Sequence, residues 1–219
     1  MPKILIKFPS RSRPIKFFSC LDNILHSARH DDFEVLASLD IDDVTMANHE
    51  VRDRIKKYPM VRAYWGTSNS KIHSINRDME FAGDFDVLLL HSDDMEFTVE
   101  GFDLEILKAF ENWEGLIHFP DQVAKARLIT YPMMHRKYFQ RDNWIYHPDF
   151  YSVYADNFQQ DLAKKRGMYK FVDKNILLHK HCMWGFSAPD ALLLRNENRE
   201  NYEKDRLTWQ RLLNDPRYV

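Results

Sequence analysis

Three groups of charged and polar side chains in this sequence have the composition of a ligand-binding site. Asp93 and Asp94 come directly after the aliphatic run VLLL, residues 87–90. Adjacent carboxylates repel each other, so they either face water in an ordinary turn, where Ser and Asp are favoured, or share a divalent cation that carries a negatively charged ligand. The segments PSRSR (residues 9–13) and DIDD (residues 40–43) also follow apolar runs.

Each of the three groups ends a segment that is typical of a buried strand. Strand-like and helix-like segments alternate through the first half of the chain. The predicted strands cover residues 4–8, 33–41, 60–65 and 85–90, and the predicted helices cover residues 13–28, 48–58 and 70–82. This order predicts an α/β fold with a largely parallel sheet. Ligands in such open sheets bind beyond the carboxyl ends of the strands, so the recurrence favours a site over a solvated turn.

The second half of the chain has a different pattern. A predicted helix, short strands and an aromatic-rich loop (residues 141–157) lead to a helix that ends at Gly167, and a strand over residues 174–185 follows. The charged tail after it is predicted to be helical and to pack on the outside or over the site. Without repeats or a linker, we expect one domain that ends in this tail (186–219).

Composition excludes several classes of function. The 31 basic and 33 acidic residues leave a net charge of −2, which gives no reason to expect a nucleic-acid binder or a polybasic membrane surface. No apolar stretch approaches the roughly 20 residues that span a bilayer, and the first residues do not form a signal peptide. Two cysteines without a CxxC pattern indicate neither a disulfide framework nor a zinc site, and a reducing cytoplasm fits best. Neither GxGxxG nor a Walker loop occurs.

Six segments in a fixed order carry a resemblance to a known family. They are FPSRSRP, SLDIDD, SKIHSINRDM, HSDDM, YADNFQQDLAKKRG and HKHCMWG. Over residues 3–184 this order resembles the nucleotide-sugar glycosyltransferases of the GT-A fold, close to the family 2 type. The resemblance implies a Rossmann-like fold, with a mostly parallel central sheet flanked by helices, and an enzyme of the hexosyltransferase kind. It also implies that residues 1–95 form a nucleotide-binding half and residues 96–185 an acceptor and catalytic half.

The resemblance also implies a divalent cation, Mn²⁺ or Mg²⁺, held by carboxylates. Asp93 and Asp94 would bind this cation and the ribose of the donor, with Asp94 the first choice as metal ligand. The usual DxD pattern is not matched, because His91 stands where its first aspartate would fall. His181 would lie near the cation or the diphosphate. His179, two residues earlier, would share its face of a strand, and an ordinary core or surface position remains the alternative for both.

Donor recognition is implied for residues from three segments. The loop after the first strand would touch the nucleobase and ribose through Pro9, Ser10, Arg11 and Arg13, unless it is simply a basic loop. Asp40 or Asp42 would accept a hydrogen bond from the uracil imide, which favours a UDP-sugar, whereas Asp43 could cap the next helix. Lys71 would contact the base or a phosphate, unless it is a solvated helix residue, and Asn76 would pack below.

The resemblance places a catalytic base at Asp156, eleven residues before Gly167, although an N-cap is equally good chemistry for this residue. In inverting enzymes, a carboxylate near the acceptor removes the proton of the acceptor hydroxyl. We therefore expect a metal-dependent, inverting glycosyltransferase that moves a sugar from a nucleotide diphosphate to a hydroxyl of a carbohydrate or other acceptor. One alternative is a nucleotidyltransferase, against which the absence of glycine in FPSRSRP counts. The other is a non-catalytic nucleotide- or carbohydrate-binding scaffold.

Overall fold

The computed structural model describes residues 2–30, 32–186 and 188–218. Its strands are β1 (Ile4–Ser10), β2 (Phe33–Asp40), β3 (Val61–Gly66), β4 (Val87–Leu90), β5 (Met95–Phe97), β6 (Leu116–His118), β7 (Met133–His135), β8 (Tyr169–Phe171) and β9 (Leu177–His179). Its α-helices are α1 (Pro14–Ser27), α2 (His49–Ile55), α3 (Lys71–Asn76), α4 (Phe102–Phe110), α5 (Arg136–Phe139), α6 (Ala155–Lys165), α7 (Ala191–Asn196) and α8 (Arg199–Leu213).

Seven of the strands form one central sheet in the order β3-β2-β1-β4-β7-β6-β8, and β5 pairs with β9 in a small antiparallel sheet. The neighbours β3-β2, β2-β1, β1-β4 and β6-β8 are parallel, whereas β7 runs antiparallel to both β4 and β6. The predicted α/β fold with a mostly parallel sheet is therefore confirmed.

Both faces of the central sheet are covered, which explains the continuous apolar runs of its strands. Side chains alternate along β1, so Ile4, Ile6 and Phe8 belong to one buried cluster while Leu5 belongs to the other. The first cluster includes the apolar face of α1, whose first helical position is Pro14, as its fixed backbone favours. The second cluster includes the buried face of α6.

Strand β1 is two residues longer than predicted and includes Pro9 and Ser10. Beyond Lys7, β1 pairs only with β2, because its register with β4 ends there. Proline lacks an N–H group and is tolerated where a sheet neighbour is missing. Two of the predicted donor-binding residues therefore lie at the carboxyl end of β1.

Two predicted elements are too long. Helix α3 ends at Asn76 because Arg77 is extended and Asp78 takes a left-handed conformation, with φ 67°. The strand predicted over residues 174–185 ends at His179, since its partner β5 has only three residues, and the backbone N–H of Lys180 turns back to the carbonyl oxygen of Asp94 at 2.7 Å. The prediction that His179 and His181 share one face of a strand is therefore wrong.

The tail is helical, as predicted. Helix α8 packs against α6, where the indole Nε1 of Trp209 donates to Asp161 at 3.1 Å and Leu212 is completely buried. Helix α7 lies over the cavity described below. Helix α8 thus packs on the outside and helix α7 lies over the site, which are the two placements predicted for the tail. Among the residues that the structure describes, no helix has the length and apolar character to cross a bilayer.

Candidate active site

A cavity of about 440 Å³ opens at the carboxyl ends of β1, β2 and β4, within the range of small-molecule sites. Residues of α3, of the segment 152–157 and of helix α7 also line it. It brings together most of the predicted site residues, namely Pro9, Ser10, Arg11, Arg13, Asp40, Lys71, Asp93, Asp94, Asp156 and His181. Within the described chain, Asp42 and Asn76 do not line it.

Asp93 is a buried carboxylate with both oxygens engaged. Its Oδ2 accepts a hydrogen bond from the hydroxyl of Ser10 at 2.6 Å, and its Oδ1 accepts one from Nη1 of Arg13 at 2.8 Å. Burial raises the pKa of Asp93, and the Arg13 guanidinium offsets this effect only in part. Asp93 therefore ties the end of β4 to the end of β1 and to the loop that follows it.

Asp94 has the opposite electrostatic character. It accepts a hydrogen bond from the hydroxyl of Ser92, and its Oδ1 lies 3.4 Å from Nε2 of His179. Burial acts to raise the pKa of Asp94, but the His179 ring outweighs it and holds this pKa well below its ordinary value. Burial likewise disfavours the charged ring of His179, but its contacts with Asp121 (3.7 Å) and Asp94 raise the pKa of His179 to about 9. Of the two adjacent aspartates, Asp94 is thus the one whose charged form its surroundings favour.

His91 replaces the first carboxylate of the DxD pattern with an uncharged ring. It is completely buried, with its ring centroid 5.0 Å from that of Phe8 and 5.3 Å from that of Phe97. Burial lowers the pKa of His91 to about 3, so the ring is neutral at pH 7. The His91 ring therefore packs in the core, and the two carboxylates of this segment belong to Asp93 and Asp94.

The residues at the cavity fit a divalent cation that is shared with a ligand. Within residues 2–30, 32–186 and 188–218, no group of three or more His, Cys, Asp and Glu side chains could hold a metal ion by itself. Mg²⁺, however, is commonly bound through one or two carboxylates together with substrate phosphates and water. Asp94 supplies such a carboxylate, and His181, whose Nε2 lies 3.5 Å from Glu197, also lines the cavity.

The end of β2 presents Asp40 to the same cavity. The guanidinium of Arg11 donates to Oδ2 of Asp40 at 2.7 Å and also forms a bidentate pair with Asp42 at 2.7 and 2.9 Å. Arg77 donates to the carbonyl oxygen of Leu39 at 2.6 Å. Oδ1 of Asp40 lies 3.5 Å from Nη2 of Arg77 and accepts no hydrogen bond from the described residues. The Asp40 carboxylate therefore lies between two guanidinium groups at the wall of the cavity.

Asp42 and Asp43 have other roles. The side chain of Asp42 is 63% exposed and pairs with Arg11. Asp43 accepts hydrogen bonds from the backbone N–H of Ser12 at 2.6 Å and from Thr45, whereas the N-cap of α2 is Asn48. The prediction that Asp43 caps the next helix is therefore wrong, because this carboxylate joins the β1 and β2 loops instead.

Asn76 does not line the cavity and instead holds the aromatic-rich segment. Its amide donates to the carbonyl oxygen of Tyr146 at 2.6 Å, and its Oδ1 accepts from the N–H groups of Ile145 and Tyr146 at 2.9 and 3.2 Å. Lys71, the first residue of α3, lines the cavity with a side chain that is 44% exposed, and its Nζ lies 3.9 Å from Glu197.

Asp156 is the second residue of α6 rather than its cap. The N-cap is Tyr154, in a left-handed conformation with φ 59° and no capping hydrogen bond from its side chain. The Oδ1 of Asp156 accepts from the backbone N–H of Asn157 at 2.8 Å. Burial raises the pKa of Asp156, as suits a group that must take up a proton. The N-cap interpretation of Asp156 is therefore wrong, and the carboxylate lines the cavity.

Sequence reasoning expected the tail on the outside or over the site but missed the individual residues that it contributes. Glu197 and Tyr202 line the cavity, and Asp190, the N-cap of α7, forms an ion pair with Arg13. The pattern DALLL does carry a signal for Asp190, since an aspartate before an apolar run is typical of a helix start. No local pattern points to Glu197 or Tyr202, because their place in the site depends on how the tail folds back.

The fold was compared with known proteins. No family model and no curated protein sequence matches the chain. Among solved structures, a mannosyltransferase from Pyrobaculum calidifontis, in complex with GDP-Man and Mn²⁺, is 13% identical with a TM-score of 0.63; the match covers 79% of this chain and 55% of that one. Residues 1–349 of TarS from S. aureus, in complex with UDP-GlcNAc, are 12% identical with a TM-score of 0.65; that match covers 98% of this chain and 67% of the TarS fragment.

These similarities concern the fold, and the chain spans only 55% of the mannosyltransferase it matches. At 12–13% identity they carry no residue roles with them. The sheet order, the helices on both faces and the match to the mannosyltransferase and to TarS nevertheless agree on the fold. The predicted GT-A fold is therefore confirmed for this chain.

Proposed function

We propose that this protein is a metal-dependent, inverting glycosyltransferase that moves a sugar from a UDP-sugar to a hydroxyl of a carbohydrate or other acceptor. The observation that carries the proposal is the cavity itself. In a GT-A fold, it places an anionic aspartate at the end of β4 and a second carboxylate of raised pKa, Asp156, in the same space. Two carboxylates with separated pKa values are a common sign of divided acid–base roles.

The donor would lie along the ends of the first two strands. Asp40 accepts the imide N–H of uracil, while Arg11, Arg13 and Lys71 offset the charge of the diphosphate. Asp94 and His181 would hold Mn²⁺ or Mg²⁺. When bound, the cation neutralises charge that develops on the leaving diphosphate. The mannosyltransferase neighbour, solved with GDP-Man and Mn²⁺, and TarS, solved with UDP-GlcNAc, support this class of ligand.

Asp156 acts on the acceptor. Its carboxylate takes the proton of the acceptor hydroxyl as the hydroxyl oxygen forms a bond to the anomeric carbon. The bond between that carbon and the diphosphate oxygen breaks, and the electron pair leaves with the nucleotide diphosphate. Attack from the face opposite the leaving group inverts the anomeric configuration.

The test is release of nucleotide from a panel of UDP- and GDP-sugars, with Mn²⁺ or Mg²⁺ and a panel of sugar acceptors. We expect release of UDP that depends on the cation and increases with the correct acceptor. Stabilisation by UDP without release from any donor would favour a binding scaffold. Formation of a nucleotide sugar from a nucleoside triphosphate and a sugar phosphate would favour a nucleotidyltransferase.

A further inference from the structure

Asp205 is a completely buried carboxylate on α8 that does not itself line the cavity. Its Oδ1 accepts a hydrogen bond from the backbone N–H of Tyr151 at 2.8 Å. Its Oδ2 accepts from the backbone N–H groups of Ser152 and Val153, at 2.8 and 2.9 Å. A buried charge is costly unless hydrogen bonds compensate it, and three donors at these distances form charge-assisted bonds of the stronger kind.

The segment that Asp205 holds, residues 151–153, leads directly into the start of α6. Ser152 and Val153 line the cavity. The next residue, Tyr154, has a left-handed backbone and gives the helix no side-chain cap. The direction in which α6 starts, and with it the position of Asp156 in the first turn, therefore depends on contacts made by residues 151–153.

The same segment is tied to the donor side of the cavity. The backbone N–H of Ile72 donates to the carbonyl oxygen of Tyr151 at 3.2 Å, and Ile72 follows Lys71 in the first turn of α3. Residues 151–153 thus lie between α8, which binds their N–H groups, and α3, which binds a carbonyl oxygen. Loss of the Asp205 carboxylate would leave the three N–H groups without this acceptor while the contact with α3 remains.

We propose that Asp205 is a positioning residue for the base Asp156, so that the C-terminal tail completes the catalytic apparatus. The inference rests on the proposed function, because it needs a base at this place. Asp205 touches neither donor nor acceptor; it sets where residues 151–153 run and hence where the Asp156 carboxylate meets the acceptor hydroxyl. A misplacement of about 1 Å at a reacting group can reduce a rate by about 10²-fold.

The test compares Asp205→Asn and Asp205→Ala with a matched control on α4. Asp103 is equally buried and accepts hydrogen bonds from the backbone N–H groups of Arg29 and His30 at distances of 2.5–3.1 Å, but it does not line the cavity. Asp103→Asn should therefore lower the melting temperature without changing kcat at temperatures well below it. Asp205→Asn should lower kcat for transfer by about 10- to 100-fold, with the KM for donor and the stabilisation by UDP unchanged.

If Asp205 positions Asp156, Asp205→Asn should also shift the acid limb in the pH profile of kcat, because the surroundings of Asp156 change. A purely structural role of Asp205 would leave the acid limb at the pH seen in the wild type. The proposal is overturned if Asp205→Asn keeps kcat within about twofold of the wild type, or if kcat and UDP stabilisation decline together as in a partly unfolded protein. Should Asp205→Ala not fold, the near-isosteric Asn variant decides. Absence of transfer by the wild type would instead refute the proposed function.

Discussion

Arg13 holds Asp190 through both oxygens of its carboxylate: Nε donates to Oδ2 at 2.7 Å and Nη2 to Oδ1 at 2.8 Å. The third contact of this guanidinium is with Asp93, at 2.8 Å. One arginine therefore connects the end of β4 with the N-cap of α7, the helix that covers the cavity. Planar, bidentate geometry of this kind is specific to arginine.

The first prediction concerns this connection. Asp190→Asn keeps a good N-cap but removes the charge that pairs with Arg13. Because the side chain of Asp190 is 40% exposed, solvent screens the pair, and the melting temperature should change little. Helix α7 should nevertheless detach more often, so limited proteolysis should cleave residues 188–198 faster and UDP should bind several-fold more weakly. Glu203→Gln, which removes a surface pair with Arg206 on α8, is the control; equal cleavage of both variants would contradict the prediction.

The second prediction concerns stability and pH. Lys7 lies completely buried in β1, where its Nζ donates to the hydroxyl of Ser38 and, at 2.7 Å, to the carbonyl oxygen of Arg77. Burial lowers the pKa of Lys7 from 10.5 to about 7, although Asp78 opposes this effect. Between pH 7 and 10.5 the unfolded chain therefore binds a proton that the folded protein lacks, and this difference makes the free energy of unfolding rise with pH.

The measurement is urea unfolding of the wild type and Lys7→Met from pH 7 to pH 10. The wild type should gain a few kcal/mol relative to the variant, at about 1.4 kcal/mol per pKa unit. Other groups act equally in both proteins. One of them is His179, whose pKa is raised to about 9, so the folded protein loses this contribution to its stability as pH rises through 9. Lys56→Met, at an exposed lysine, should follow the wild type. Parallel curves for the wild type and Lys7→Met would refute the prediction.

The third prediction separates the two adjacent aspartates. Transfer should require Mn²⁺ or Mg²⁺ and disappear with excess EDTA. Asp94→Ala should weaken the response to Mn²⁺ more than Asp93→Ala, because Ser10 and Arg13 already occupy both oxygens of Asp93. Titration of activity and of the UDP-induced melting shift with Mn²⁺ measures both effects. Full activity in EDTA would remove the metal from the proposal, and a stronger effect of Asp93→Ala would reverse the assignment.

The order of strands and helices in the first half could be predicted because its signals are local. The run VLLL forms β4 and ends next to Asp93 and Asp94, and apolar runs mark the other strands in the same way. The residues at which strands and helices end could be predicted less well from the sequence. The predicted strand through His181 follows from alternation alone, whereas the actual end of β9 is set by the three residues of its partner β5.

Which residues of the tail contact the site could not be predicted, because these contacts are distant in sequence. Asp205 is 52 to 54 residues from the N–H groups that it binds, and Asp190 is 177 residues from Arg13. A charged helix looks the same in sequence whether its aspartate faces water or a buried loop. The contacts of these two carboxylates with the walls of the cavity are visible only in the folded structure.

The fourth prediction tests the choice of nucleotide. Asp40 lines the cavity, with Nη2 of Arg77 3.5 Å from its Oδ1, whereas Asp42 is largely exposed and does not line the cavity. Asp40→Asn should therefore reduce the melting shift caused by UDP, and Asp42→Asn, which loses the same charge beside Arg11, should reduce it much less. Thermal shifts with UDP, CDP and GDP give the comparison. A wild type that GDP stabilises more than UDP would show that the uracil assignment is wrong.

The last prediction concerns the base. Asp156→Asn preserves size and can still accept from the N–H of Asn157, but an amide cannot take a proton. Transfer should fall by about 10²- to 10⁴-fold, with binding of UDP and Mn²⁺ nearly unchanged. Because Asp156 is not the N-cap of α6, a loss of this size cannot be attributed to a missing cap. Asp161→Asn, on the same helix and in contact with Trp209 rather than the cavity, is the control.

The pH profile gives a second readout of the same group. Burial raises the pKa of Asp156, so the base is protonated and inactive at low pH, and kcat of the wild type should decline as pH falls through that raised value. The residual activity of Asp156→Asn should lack this acid limb, because the group that titrates is gone. Near-normal transfer by Asp156→Asn, or the same acid limb in both proteins, would show that another residue takes the proton.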